Sequence, residues 1–376
     1  MRLAGAVRVA GAICVAAAVL VVSGCGSSKH VLVVGGVEDA AKWHSPSANM
    51  QLARRAGFRV IVLSSVWTRP LSAPDQPEIN RLRAAVVAAE RLGIEPIVAV
   101  YSFSANTPTT ARERAEFSSY EATILRDIPQ IHTMSVGNEP NSNQFWMPQF
   151  GPGGSDVAAT AYFALLSETY DRLKKIDPGV EVIGGSLAAR GADRPNGRRP
   201  THSPTSFIRD LGAAFRASGR RSPPLDMFSI HPYPPNSAIG PDVPDPHSTA
   251  ISIADYPKLV SLLQAAFGKS PPIVYGEYGI ETRIPRSELD LYSGAQPVPV
   301  RPVAEWRQAF DYIEAIRLAA CQPLVRMLIF FHVTDESQFT GLQTGLFYPN
   351  DRPKRSLGAV ADSARAAEAG QVKCGS

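Results

Sequence analysis

The stretch IHTMSVGNEPNSNQFW, residues 131 to 146, holds a four-residue apolar and β-prone run, Thr133–Val136, that stops abruptly at Gly137-Asn138-Glu139-Pro140. A glycine and a proline within four residues end any regular element, so the run reads as a short buried strand that delivers a carboxylate into a turn. In isolation an Asn-Glu-Pro tripeptide is usually just a turn. Its meaning depends on which strand this is, and on what stands at the ends of the others.

Outward from residue 131, one unit repeats. On the N-terminal side, His30–Gly36, Arg59–Leu63 and Glu95–Tyr101 are β-branched runs. They alternate with helical patterns over Ala48–Gly57, Pro77–Leu92 and Thr110–Ile128, two of which stop at a glycine. On the C-terminal side the alternation continues with helices at Val157–Ile176, Pro204–Ala217, Ile253–Phe267, Val303–Ala319 and Leu357–Ala369. Strands are expected between them at Glu181–Gly184, Met227–Ile230, Pro272–Tyr275 and Val325–Phe331. Eight strand-helix units with no dividing linker predict a parallel sheet closed into a single (β/α)8 TIM barrel, an α/β fold. The competing doubly wound open sheet would be favoured by a glycine-rich nucleotide turn, and Gly35-Gly36 lacks the G-x-G-x-x-G spacing. Thr133–Val136 is therefore the fourth strand.

The chain start sets the compartment. Arg2 and Arg8, an apolar run over Val9–Val22, and Val22-Ser23-Gly24 before Cys25 have the form of an export signal too short for an ordinary membrane span. The ending Val-Ser-Gly-Cys resembles the lipobox of bacterial lipoproteins. That resemblance implies a signal peptide over 1–24, lipid on Cys25, a tether over 25–29, and a catalytic barrel over 30–376. It also implies a protein anchored to the membrane and facing outside the cytoplasm. An uncleaved anchor, or an ordinary signal followed by an incidental cysteine, is the plainer alternative.

Composition narrows the class without choosing the function. Hydrophobic residues at 44% and charged residues at 19% describe a soluble globular chain. The formal charge of +4 is small, and clusters such as Arg198-Arg199 and Arg220-Arg221 sit in Pro-, Gly- and Ser-rich connections, so no nucleic-acid surface is expected. Of the four cysteines, Cys14 lies in the signal; Cys321 and Cys374 fall on connections at the barrel face opposite the active end, where they could meet as a disulfide. No Cys-x-x-Cys pair is present, so no structural zinc site is expected. A monomer is expected.

In this fold the chemistry stands at the C-terminal ends of the strands. Those positions carry Trp67 and Arg69 after strand two, Tyr101 after three, Asn138 and Glu139 after four, His231 and Tyr233 after six, Glu277 after seven and His332 after eight. Two glutamates across the barrel mouth, among aromatics and an amide, match the needs of glycosidic bond cleavage. One carboxyl must protonate a poor leaving group while a carboxylate faces the developing oxocarbenium ion. A separation of about 5–5.5 Å lets the second attack directly with retention, whereas a wider gap admits a water.

Gly137-Asn138-Glu139-Pro140, His231-Pro232-Tyr233 and Tyr275-Gly276-Glu277-Tyr278-Gly279, in strand order, resemble the clan A glycoside hydrolases, the group that includes cellulase-like enzymes. The resemblance implies retaining hydrolysis of β-linked glycans or glycosides by double displacement, with no metal and no organic cofactor. Glu139 would be the acid/base, Glu277 the nucleophile, and Asn138 the amide on the sugar 2-hydroxyl. His231 and Tyr233 would line the reaction centre. Two departures from that pattern are visible. Strand eight ends IFFHVTDE, placing Phe331 or His332 where many members carry tryptophan, and Arg69 stands in a differently spelled loop from the family's arginine.

Each residue also has a plain structural reading. His231 and His332 could be core histidines. Tyr101 and Trp67 could cover the mouth or serve as sugar platforms. Trp146 could line a distal subsite, Asp335 and Glu336 read as loop charges, and Glu281 is a rival to Glu277. Two further functions compete with hydrolysis. A surface glycan-binding lipoprotein without turnover would keep the same barrel and glutamates. A metal-dependent hydrolase using His231, His332 and Glu139 fits poorly, because the first strand lacks a closely spaced histidine pair.

Overall fold

The computed structural model describes residues 31–295 and 301–375. The signal segment and Cys25 lie outside them. The first half of the barrel comprises β1 (Val33–Val37), α1 (Ala40–Trp43), α2 (Pro46–Arg55), β2 (Val60–Val66), α3 (Gln76–Glu90), β3 (Glu95–Tyr101), α4 (Ala111–Asp127) and β4 (Thr133–Val136). The second half comprises α5 (Ala158–Ile176), β5 (Glu181–Ala188), α6 (Pro204–Ala217), β6 (Met227–His231), α7 (Tyr256–Phe267), β7 (Ile273–Tyr278), α8 (Glu305–Ala320), β8 (Val325–Phe331) and α9 (Leu357–Glu368). All eight strands pair in parallel in chain order, and β1 against β8 closes the cylinder, from Val33 opposite Met327 to Val37 opposite Phe331.

The two faces of each strand bury different partners. Val37, Val60, Ile97, Ile183, Met227, Val274, Met327 and Ile329 point inward and fill the barrel lumen. The alternate residues join the helices in a larger core outside it, which includes Phe58, Phe228, Phe330 and Tyr312. A lumen filled by branched side chains leaves space only above it, at the C-terminal rim.

Local signals fix the elements that support that rim. Thr110 caps α4 through a reciprocal capping box with Glu113, and Asp75 caps α3 by accepting from the Glu78 amide at 2.7 Å. Cys321 and Cys374 are joined, with Cα atoms 5.5 Å apart, and pin the chain after α9 to the α8 end. Among the described residues no helix is long and apolar enough to cross a membrane.

Several boundaries shift from the sequence reading by a few residues, β1, β2, α2, β7 and α8 among them, and two shifts have an evident cause. The expected fifth strand ends at Gly184, because a glycine pair normally breaks a strand. In the structure β5 runs on to Ala188 through a shift in register between Gly184 and Leu187. Gly185 (φ +93°) and Ser186 (φ +46°) both take left-handed backbone there, forming a bulge that turns Ser186 toward the barrel mouth. A helix is expected from Ile253, but its first turn is a separate 3-10 segment and α7 begins only at Tyr256.

Candidate active site

Glu139 is placed by a loop with little freedom. Gly137 has φ +77°, and a Cβ there would press on the Tyr162 ring at 3.0 Å, so the chain can turn out of β4 only with glycine. Glu139 itself has φ +38°, an unfavourable conformation for a residue with a side chain, and is held there by donating its amide to the Ser186 carbonyl at 2.8 Å. Asn141 completes the clamp: its amide nitrogen donates to the Ala188 and His202 carbonyls, and its oxygen accepts from the Ala188 amide at 2.9 Å.

Across the mouth, Glu277 rises from β7 beside His231 at the end of β6. Gly276 makes this approach possible, because a Cβ there would lie 2.3 Å from the Ser229 hydroxyl and 3.2 Å from the His231 ring. His231 Nδ1 lies 3.2 Å from a Glu139 oxygen and 3.6 Å from a Glu277 oxygen. Two oxygens sharing one nitrogen at these distances are at most about 7 Å apart, a bound that includes the spacing of direct carboxylate attack. The Tyr233 hydroxyl donates to that same Glu277 oxygen, Oε2, at 3.1 Å.

The electrostatics follow from this crowding. Burial pushes the Glu277 carboxyl up to about 7; the His231 ring draws it down, Glu139 pushes it up, and the Tyr233 hydroxyl draws it down. Burial works against a charged His231, yet the two glutamates outweigh it and raise the imidazole above its ordinary value. Tyr233 is held neutral, well above its usual range, by burial and by the same two carboxylates, so it remains a hydrogen-bond donor.

These residues line a cavity of about 480 Å³ at the C-terminal rim, in the size range of sites that hold one or a few sugar rings. Asn138, Tyr101 and His332 line it as well. Tyr101 meets Phe103 and Phe145 edge-on at 5.8 and 5.7 Å, and those two phenylalanines stack on each other. His332 lies against the Phe331 ring; burial pushes it down to about 3, so it is uncharged at neutrality. Glu281 lies outside this cavity, in an adjoining depression with Arg190.

Several expected contributors sit elsewhere. Trp67 is fully buried, packs edge-on against Phe117 and donates its indole N–H to the Leu71 carbonyl at 2.6 Å, so it is a core residue and no sugar platform. Trp146 is turned inward against Tyr162, and its neighbour Phe145 takes the place at the cavity. Arg69 pairs with Glu113 at 2.8 Å. Asp335 is no loop charge: it is buried in an ion pair with Lys354 at 2.8 Å, whose ammonium also reaches the Thr282 hydroxyl and the Gln343 carbonyl.

The cavity also holds residues that the sequence reading passed over. Ser186 arrives through the β5 bulge and faces Ser135 at 3.2 Å. Asp39, just beyond β1, lines the wall with Ser64 and Tyr101. The rule that nominated the other strand ends applies equally to Val37-Glu38-Asp39, so the signal was present. Among the described residues no cluster of histidine, cysteine or carboxylate side chains could hold a metal ion.

The sequence matches no protein-family model and no curated protein. Solved structures do share the architecture. A family 39 glycoside hydrolase from the gut symbiont Bacteroides cellulosilyticus WH2 superposes with a TM-score of 0.65 at 19% identity over 90% of this chain, which spans 64% of that one. A monomeric beta-xylosidase from Caulobacter crescentus CB15 gives 0.57 at 17% identity, covering 89% of this chain and 67% of its own. The endo-beta-1,4-mannanase from Thermotoga petrophila gives 0.55 at 13% identity, covering 92% and 78%. At these identities the likeness establishes the fold, a (β/α)8 barrel shared with glycoside hydrolases.

Proposed function

We propose that this chain is a retaining glycoside hydrolase that cleaves a β-linked glycan or glycoside, with Glu277 as nucleophile and Glu139 as acid/base. The observation that carries this reading is the pair of carboxylates from opposite sides of the barrel meeting at one His231 nitrogen, inside a cavity large enough for sugar. Its fold, shared with glycoside hydrolases of several specificities, supports it.

In this reading each step falls to a residue of the cavity. Sugar enters with its anomeric carbon beside Glu277, while Glu139, on the strained loop after β4, faces the glycosidic oxygen. Glu139 donates its proton as the bond breaks, and Glu277 adds to the anomeric carbon to give a covalent glycosyl ester. Glu139, now ionised, takes a proton from water, which attacks the same carbon and releases Glu277. Tyr233 and a protonated His231 stabilise the Glu277 anion before attack and as it departs. Asn138 is placed for the sugar 2-hydroxyl, and Tyr101 with Phe145 offers an aromatic wall. The Cys321–Cys374 disulfide supports an oxidising, extracytoplasmic setting, consistent with lipid on Cys25. The reading is tested on a panel of activated aryl β-glycosides with wild type, Glu277→Gln and Glu139→Gln. Loss of turnover in both variants is expected; undiminished hydrolysis by Glu277→Gln would remove the assignment.

A further inference from the structure

The wall of the cavity facing the two glutamates carries a carboxylate that the reaction does not use. One Asp39 oxygen accepts from the Ser64 amide at 2.7 Å, which fixes the side chain on the β2 backbone. The Ser64 hydroxyl also hydrogen-bonds this carboxylate, and the residue lines the cavity. Lys42, bound to the Ser64 carbonyl and to Glu78 at 3.1 Å, eases the ionisation of Asp39, which burial opposes. Asp39, Tyr101 and Glu277 line one cavity, the space that a sugar at the reaction centre would fill.

A fixed carboxylate on the wall of a sugar-sized cavity has one evident use. It accepts hydrogen bonds from donors on the substrate and repels anions. Glu139, Glu277 and Glu336 line the same cavity, and His332 is uncharged, so among the described lining residues His231 is the group that can carry positive charge, with Arg190 in the adjoining depression beside Glu139. We propose that Asp39 determines specificity. It accepts from the hydroxyl groups on the side of the ring remote from the cleaved bond, and its charge excludes uronic acids, so the sugar held at the reaction centre is a neutral one. This rests on the glycosidase reading for the placement of the ring, but not on turnover.

The test separates the two. Matched pairs of methyl β-glycosides, a neutral hexoside or pentoside and its uronide, are titrated by calorimetry against Glu277→Gln and against Glu277→Gln/Asp39→Asn at pH 8, while wild type and Asp39→Asn are assayed on the corresponding aryl glycosides. Asparagine keeps the acceptor for the Ser64 amide, so the fold is retained, and replaces the second oxygen with an uncharged donor. With Asp39 present, a neutral member should bind at least about tenfold more tightly than its uronide. Loss of one charge-assisted hydrogen bond should weaken the neutral ligand by about ten- to a hundredfold in Asp39→Asn and collapse the discrimination. KM should rise more than kcat falls. Neutral-selective binding that depends on Asp39, with no turnover in wild type, would uphold the specificity role and reject the hydrolase. Turnover that favours the uronide, or a preference unchanged in Asp39→Asn, would overturn the specificity role and leave the hydrolase standing. Binding of no member of the panel would overturn the proposal.

Discussion

Replacing Glu277 by glutamine should abolish activity and, at alkaline pH, make the protein more stable. Burial holds this carboxyl at about 7 in the folded state against 4.5 for an ordinary glutamate. Between those values the folded protein keeps a proton that the unfolded chain has released, so stability falls as pH rises through the interval. The full cost, reached above the folded value, is about 3 kcal/mol. Two features make this an upper bound. The Glu277 side chain keeps 20% of its surface open to the cavity, where water offsets part of the burial penalty, and an ionised Glu277 attracts His231. A gain of about 1–3 kcal/mol at pH 8 is therefore expected for Glu277→Gln, which preserves the shape and an acceptor for Tyr233. Below pH 5 both forms are uncharged and the gain should shrink to under about 1 kcal/mol. Chemical denaturation of both proteins at pH 5 and pH 8 measures this. Equal stabilities at pH 8, or a difference that does not change with pH, would refute the claim that Glu277 is held in the folded state at an electrostatic cost.

Other consequences follow from the same coordinates. Because the proposed nucleophile, Glu277, must be ionised to attack, kcat/KM should rise with pH on an acid limb centred near 7, and an acid limb near 4 in a stopped assay series would contradict the Glu277 environment. The Cys321–Cys374 bridge closes a segment of 53 residues, so the double serine variant should lose up to about 4 kcal/mol in denaturant titrations, and an unchanged midpoint would show that the bridge does not constrain the chain. Lys354→Met leaves Asp335 charged and buried without its partner, for an expected loss of about 3–5 kcal/mol; a stability within 1 kcal/mol of wild type would mean the pair is not desolvated as its burial indicates. Phe145→Ala should raise KM on glycosides by about three- to tenfold, whereas Trp67→Ala should act on thermal stability, and the reverse pattern would return the platform to Trp67.

The repeating unit was legible because each strand of a parallel barrel is buried on both faces and reads as an apolar run, with a helix before the next. β3, β4 and β8 carry the bounds their composition predicts. The site was legible to the extent that strand ends determine it: Glu139, His231, Tyr233 and Glu277 meet because the barrel geometry leaves no other place for them. What was illegible depends on side-chain direction beyond the strand end. Trp146 lies one residue past Phe145, which faces the cavity, and Trp67 three past Ser64, so a short step of backbone turns each indole from the mouth into the core. The β5 bulge could not be read from Gly184-Gly185, since a glycine pair is equally the end of a strand, and Ser186 was missed with it. Asp335 looked solvated because its partner, Lys354, is distant in sequence.

The most direct test of the central claim is a proton NMR time course of hydrolysis, read at the anomeric proton before mutarotation. Double displacement across Glu139 and Glu277 predicts that the first product has the same anomeric configuration as the substrate, whereas an inverted first product would contradict it.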